Sequence, residues 1–365
     1  VVNFRHKNSR GAGVSVDVSS RVLVFEAVRE RQPYSSRAHH DGKGLIMKKF
    51  AFAAVAALAL SVAPASAADL VTKAKPIAAP PPPAWDIAFG GAIASDYVWR
   101  GITQSAHEPS VASYFEPRYN VNPNLQFYAG IGGASIAFPN RAAAEIDFYG
   151  GIRPTFGKLS LDIGVWYYWY PGGQTFSAFG FPANAGGCTN GADPGIVACN
   201  TAKSDASFWE FYAKANYAVT DAFTVGGYVY YSPSVLNTGA DGVFFGGTAK
   251  YTFPAFANGV QPYVSGDVGY WDLGTTDAFY GTIALPSYTT WNLGVGWTWK
   301  VFTVDLRYVD TDLSQSECNA FTGDHTATFS PSGVTAINNG NLSNWCGSRF
   351  VARLSADLTV NSNLK

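Results

Sequence analysis

Over Glu145–Tyr170 the chain reads EIDFYGGIRPTFGKLSLDIGVWYYWY, two runs joined by Thr155-Phe156-Gly157-Lys158. In the first run Glu145, Asp147, Tyr149, Gly151 and Arg153 alternate with Ile146, Phe148, Gly150 and Ile152. In the second, Leu159, Leu161, Ile163, Val165, Tyr167 and Trp169 alternate with Ser160, Asp162, Gly164, Trp166, Tyr168 and Tyr170. Period-two alternation broken by a short turn containing glycine predicts an antiparallel hairpin with one apolar and one polar face.

The same unit recurs from Trp85 to the end, and the chain divides into about twelve strands. They are Trp85–Trp99, Val111–Val121, Leu125–Ile136, the two strands of the hairpin above, Ser207–Tyr217, Phe223–Ser232, Val243–Phe253, Gln261–Trp271, Tyr288–Trp299, Phe302–Asp310 and Arg349–Val360. Short links at 122–124, 155–158, 218–222, 254–260 and 300–301 alternate with longer ones at 100–110, 137–144, 171–206, 233–242, 272–287 and 311–348. Strands of about ten residues, short turns on one side and long loops on the other are the pattern of an outer-membrane barrel. Hydrocarbon offers no partner for backbone N–H and C=O groups, so a sheet that crosses it must close on itself. The expected fold is therefore all-β, a transmembrane antiparallel up-and-down β-barrel of about twelve strands over residues 85–365.

A soluble barrel also alternates, but its polar face meets bulk water and is rich in Lys, Glu and Thr. Here only 14% of residues are charged while 47% are apolar, and the polar positions of the strands are mostly Gly, Ala, Tyr, Ser and Asn. Aromatic residues gather near the strand ends, at Tyr167–Tyr170, Trp209, Tyr230-Tyr231, Trp271 and Trp291–Trp299, as in the girdles that mark the two membrane interfaces.

The segment from Met47, MKKFAFAAVAALALSVAPASAADL, has a charged start at Lys48-Lys49, an apolar stretch Phe50–Val62 and the small-residue box Ala65-Ser66-Ala67. This is the anatomy of a secretory signal peptide over 47–68. Residues 1–46 then read as an over-long start outside the mature protein. Residues 69–84 hold Pro80–Pro83 and read as an extended proline-rich periplasmic linker. Residues 1–49 carry ten of the 25 Lys/Arg and four of the 26 Asp/Glu, leaving 15 against 22 from Asp69 onward, a net of −7. An acidic body of this kind argues against nucleic acid as a partner and leaves outer-membrane lipid as the expected one.

All four cysteines fall in the two longest gaps, Cys188 and Cys199 in one, Cys318 and Cys346 in the other. With both loops outside the cell, the pairs Cys188–Cys199 and Cys318–Cys346 close each loop on itself, in an oxidising compartment. Zinc-ligand spacing is missing, and of the two histidines after the signal segment, His107 and His325, neither sits in a catalytic or metal motif. No cofactor and no enzymatic activity are expected. Gly132-Gly133 and Gly226-Gly227 lie within strands and read as points of close packing or bending.

The run SDYVWRGITQS, Ser95–Ser105, resembles the signature at the first strand and loop of the TorF-family (Gcw-type) porins of the bacterial outer membrane, and the following EPRYN is compatible with it. The last residues, VNSNLK, depart from the terminal aromatic common in such barrels. The resemblance implies a barrel and a pore; it supplies neither a substrate nor a catalytic residue.

Candidate pore-lining residues are the charged members of the polar face: Asp96, Arg100, Glu116, Arg118, Glu145, Asp147, Arg153, Glu210, Lys214, Asp267, Asp305, Arg307, Arg349 and Arg353. Opposed charges of this kind either filter solutes or neutralise one another and fill the lumen. Barrels of about eight strands are filled by side chains and those of 16–18 hold a channel, so twelve lies between. The resemblance tilts the expectation toward a narrow channel for passive diffusion of small hydrophilic solutes, with a slight cation preference from the acidic excess. The competing reading is a non-conducting structural or adhesive barrel with disulfide-closed surface loops.

Overall fold

The computed structural model describes residues 83–177, 201–329 and 341–364. Its strands are β1 (Trp85–Ala94), β2 (Ser110–Asn122), β3 (Leu125–Ala134), β4 (Glu145–Phe156), β5 (Leu159–Trp169) and β6 (Phe208–Ala218). They continue as β7 (Phe223–Ser232), β8 (Gly242–Thr252), β9 (Gln261–Leu273), β10 (Tyr288–Trp299), β11 (Phe302–Thr311) and β12 (Arg349–Thr359). Each strand pairs antiparallel with the next, and β1 closes on β12 from Ala88↔Thr359 to Ala94↔Arg353. The alternating sequence therefore ends in a closed barrel of 12 strands in which every edge is used. Strands of 10–13 residues, tilted, suffice to cross a hydrocarbon layer.

The apolar half of each alternation faces outward. Ile93, Phe115, Ile131, Phe148, Ile163, Phe211, Val229, Val268, Leu293, Val304, Leu306 and Leu354 are all exposed on the outer wall. A continuous greasy belt of this sort is tolerated only where lipid covers it. Outward aromatics collect at both rims: Trp85, Tyr119, Phe156, Tyr251, Trp299 and Phe302 at the short-turn end, and Trp169, Trp209, Tyr231, Tyr270 and Phe350 at the long-loop end. Among the described residues no helix is long and apolar enough to cross a membrane, so the strands make the crossing. By the usual orientation of such barrels the short turns face the periplasm and the long loops the outside.

Two expectations are corrected. The first strand ends at Ala94, and does not run to Trp99: past that point the chain leaves the wall and pairs Val98-Trp99 with Ile102-Thr103 as a two-residue ribbon of its own. Alternation also splits the aromatic clusters between the two faces. Trp271, Tyr168 and Tyr170 are buried inside the barrel and Tyr230 packs there with them, so they are not part of a girdle.

Inside, glycines give tyrosines room to lie flat on the wall. A Cβ at Gly130 or Gly296 would stand 2.3 Å from the ring of Tyr149 or Tyr263, and one at Gly133 would meet the Glu145 carbonyl at 2.5 Å. Gly226 is equally tight at 2.5 Å from Asn216, whereas Gly132 and Gly227 have ordinary space around them. Close packing thus explains one member of each glycine pair.

The last long loop, 312–348, carries helix α1 (Gln315–Thr322), whose start is closed by a capping box between Ser314 and Glu317. Cys318 and Cys346 form the expected disulfide across this loop. The Cys188–Cys199 pair, the signal segment, the proposed over-long start and most of the proline-rich linker lie outside the described residues.

Candidate functional site: the lumen and the loop that enters it

The loop 95–109 leaves β1 and β2 at Ala94 and Ser110, which are register partners, and turns inward across the barrel. Its ribbon reverses at Arg100-Gly101, with φ of 50° and 83°. Both turn residues are at positive φ, as in a type I′ turn, a conformation that Gly101 accepts freely and Arg100 adopts at a cost. The tip reaches the wall opposite its origin. Trp99 packs edge-on against Tyr168, Phe208 and Trp271, with ring centroids 5.8, 6.1 and 4.9 Å away. The Arg100 carbonyl accepts a hydrogen bond from the Tyr288 hydroxyl at 2.9 Å, and a Cβ on Gly101 would collide with Thr290 and Thr311.

Arg100 is the centre of this plug. Its guanidinium donates to Glu210 at 2.8 Å and lies 4.3 Å from the ring centroids of Trp99, Phe244 and Trp271 and 5.0 Å from that of Tyr230. The two charged side chains are only 5% and 1% exposed. Burial alone would lower the pKa of Arg100, but the Glu210 charge and its hydrogen bond more than reverse this, so the guanidinium is held in its charged form.

The root of the loop is latched by Asp96, which accepts from Thr103 Oγ1 at 2.5 Å, from Ser105 at 3.0 Å and from Arg349 at 3.1 Å. His107 Nδ1 sits 3.3 Å from the same carboxylate with the ring partly exposed, an arrangement that fixes a loop and presents no nucleophile. The roof is the disulfide-closed loop: the Trp345 carbonyl accepts from the Thr103 N–H at 3.0 Å, and Ile102 packs with Phe321, Trp345, Cys318 and Cys346. Tyr97 and Tyr170 both donate to Glu145, at 2.6 and 2.8 Å. Burial, and then the Glu145 charge, push both phenols well above their ordinary value.

Above the tip lies a small pocket of about 90 Å³ between the outer loops; below it lie cavities of about 740 and 420 Å³, and a further one of about 370 Å³ at the short-turn end. Among the described residues, Trp99 alone lines both the upper pocket and the cavity beneath. The lower cavities share walls, the first two at Tyr97, Glu145, Asp147, Trp166, Lys214 and Arg353, the last two at Arg153 and Asp162. Adjoining cavities thus follow one another from the underside of Trp99 to the short-turn end.

The fourteen charged residues singled out from the sequence all turn inward but do different things. Asp96 and Arg100 belong to the inserted loop, and Arg349 at the start of β12 holds that loop down. Glu116, Arg118 and Arg153 form a network at 2.6 and 2.7 Å that continues through Asp162 to Lys214, at 3.4 and 3.8 Å. On the facing wall Arg307 binds Asp305 at 3.0 Å, Ser265 at 2.9 Å and Asn292 at 2.5 Å. Arg353 stands in register with Asp305, Asp267 lines the 740 Å³ cavity, and Glu145 and Asp147 lie beneath the plug. The lining expected from the sequence left out the aromatic half of the site, Trp99, Trp166, Tyr168, Phe244 and Trp271, although Trp166 and Tyr168 alternate inward with Asp162 on β5 and Trp271 with Asp267 on β9. It also missed the Asp162 link, although its place on the polar face was visible. Among the described residues no group of three or more His, Cys, Asp or Glu is arranged to hold a metal.

The family model Gcw_chp, described as a bacterial protein of unknown function, matches residues 78–337. The chain belongs to the Gcw_chp family. The matched span takes in the inserted loop and the first eleven strands of the Gcw_chp barrel. Comparison with curated protein sequences gives no match. Similar solved structures include an outer-membrane channel from Pseudomonas putida F1, at 10% identity over 79% of this chain and 100% of that one, with a TM-score of 0.38. The NanC porin aligns at 8% identity over 74% and 98%, with a TM-score of 0.37. OmpT, an outer membrane protein of Vibrio cholerae, aligns at 11% identity over 78% and 100%, with a TM-score of 0.32.

Proposed function

We propose that the protein is an outer-membrane channel for passive diffusion of small hydrophilic solutes, and that the conformation described is its closed state. The observation that carries this reading is the inserted loop: a polar, cavity-bearing lumen reaches from the periplasmic end to Trp99 and stops there. A barrel whose role is purely structural gains nothing from an unfilled, charged interior, where each buried polar group must be satisfied at a cost. Withdrawal of the loop as a unit would leave the wall intact, because it enters and leaves at neighbouring positions, Ala94 and Ser110, and closes on itself through its own ribbon. A slight preference for cations follows from the acidic excess of the chain.

Planar-bilayer recording of the refolded protein tests the reading. Discrete steps with intermittent closure, and a reversal potential shifted toward that of the cation in a salt gradient, are the expected result. A barrel that inserts and never conducts at any voltage discards the channel and leaves the structural or adhesive reading, which the sealed extracellular end would then explain. Steps with no cation preference would remove the selectivity and leave the channel.

A further inference from the structure

Among the described residues, the buried carboxylates of the barrel wall and the inserted loop are matched to arginines with two exceptions. Asp96 has Arg349, Glu116 has Arg118 and Arg153, and Glu210 has Arg100. Glu145 and Asp147, two apart on β4 and therefore on one face, are 3% and 8% exposed and have no basic group within ion-pair distance. Lys214 and Arg353 line the same cavities, but Lys214 is drawn to Asp162 and Arg353 stands on β12 beside Asp305, its register partner. Glu145 is satisfied by the two phenols of Tyr97 and Tyr170, whereas Asp147 Oδ1 has no hydrogen-bond partner. The Trp166 indole N–H points toward the Asp147 carboxylate without closing a hydrogen bond, and is itself without a partner. Both side chains face the junction of the 740 and 420 Å³ cavities, where Trp166 stacks on Tyr149 at 4.3 Å and Tyr97 forms part of the wall.

Two adjacent buried carboxylates without a counter-charge are unfavourable as anions unless they take up a proton or a cation joins them, and the unpartnered Asp147 oxygen beside the cavities is open to the latter. The surroundings state which kind. Hard divalent ions call for six or more oxygen ligands, whereas here two carboxylates meet a wall of aromatic faces, which attract diffuse organic cations through their ring quadrupoles. The geometry points to a binding subsite for a small organic ammonium ion beneath the plug, with the free oxygen of Asp147 beside Glu145 supplying the charge and the Trp166 ring, on the side away from Tyr149, the face on which the cation rests. The subsite deepens the channel reading by naming a solute class, and rests on it only in taking the lumen as wet. It is reached through the shared cavities from the periplasmic end, so it fills whether or not the loop moves.

Isothermal titration of the detergent-folded protein with choline, at fixed ionic strength, is the test. One saturable site per barrel is expected, weakened at least tenfold in Asp147→Asn and several-fold in Trp166→Leu, with Asp357→Asn, on the opposite wall of the 420 Å³ cavity, within twofold of wild type. Heat-modifiable gel migration establishes that each variant is folded, and the wild-type titration stands without them. Absence of saturable binding to the wild type overturns the proposal, as does a choline affinity equal in wild type and folded Asp147→Asn, or full displacement by sodium at equal concentration. Choline binding in a barrel that never conducts would keep the subsite and remove the channel; conductance without choline binding would do the reverse.

Discussion

Replacing Arg100 by methionine keeps the bulk of the plug tip and removes its charge. With the loop inserted, Glu210 is 1% exposed and has Arg100 at 2.8 Å as its counter-ion, with the Tyr168 hydroxyl, at 3.2 Å, as a further donor. Removing one partner of a buried pair costs about 3–5 kcal/mol, because the other charge stays buried and uncompensated. The penalty falls on the closed state alone, since with the loop withdrawn Glu210 faces open water in both proteins. At about 1.4 kcal/mol per factor of ten, the closed-to-open ratio falls roughly 10²- to 10⁴-fold in Arg100→Met. Glu210→Gln moves in the same direction by less, since a neutral amide tolerates burial better than an uncompensated charge. Single-channel recording reads the change as open probability. If folded Arg100→Met and Glu210→Gln barrels open no more often than wild type, the ion pair does not hold the loop and the account of the gate is wrong.

Three other outcomes follow from the same structure. Cys318→Ser with Cys346→Ser releases a crosslink across 28 residues, worth about 3–4 kcal/mol in chain entropy for a loop of this length, so protease resistance of 312–348 falls while strand content stays constant. Leu293→Arg, at a position 61% exposed in the middle of β10, destabilises the barrel in bilayers by about 2–4 kcal/mol, as measured by urea titration in liposomes; a change within about 0.5 kcal/mol would mean that this face meets water. Because Tyr97 and Tyr170 are raised above the ordinary 10.0 by burial and by Glu145, their contribution is complete below that pH and is lost as pH rises through the raised values. Conductance is therefore expected to stay low through neutral and mildly alkaline pH and to increase only above about 10.

The wall was legible in the sequence because period two assigns each residue a side. Glu145 and Asp147 fall inward and Ile146 and Phe148 outward on that rule alone. Loop lengths supplied the up-and-down order, since only antiparallel neighbours can be joined by two or three residues. The inserted loop escaped because Ile93, Ser95, Tyr97 and Trp99 continue the alternation past the true strand end at Ala94. Arg100-Gly101 was a turn signal, yet where a turn points is decided by what it packs against, and the partners on β5 to β9 are some 70–170 residues away. Pairing of charges divides in the same way. Glu116 and Arg118 are two apart on one strand and could be matched by eye. Arg153 reaches Glu116 from β4 over the width of β3, which depends on the curvature of the closed sheet.

If the first loop closes the proposed channel, removing that loop opens it. Ala94 and Ser110 are register partners, so Ser95–Pro109 can be replaced by Asn-Gly as a two-residue hairpin turn without disturbing β1 or β2. Conductance of that barrel in planar bilayers is predicted to be steady and larger than wild type, with the intermittent closures gone. A folded, inserted, loop-deleted barrel that conducts no better than wild type would contradict the claim.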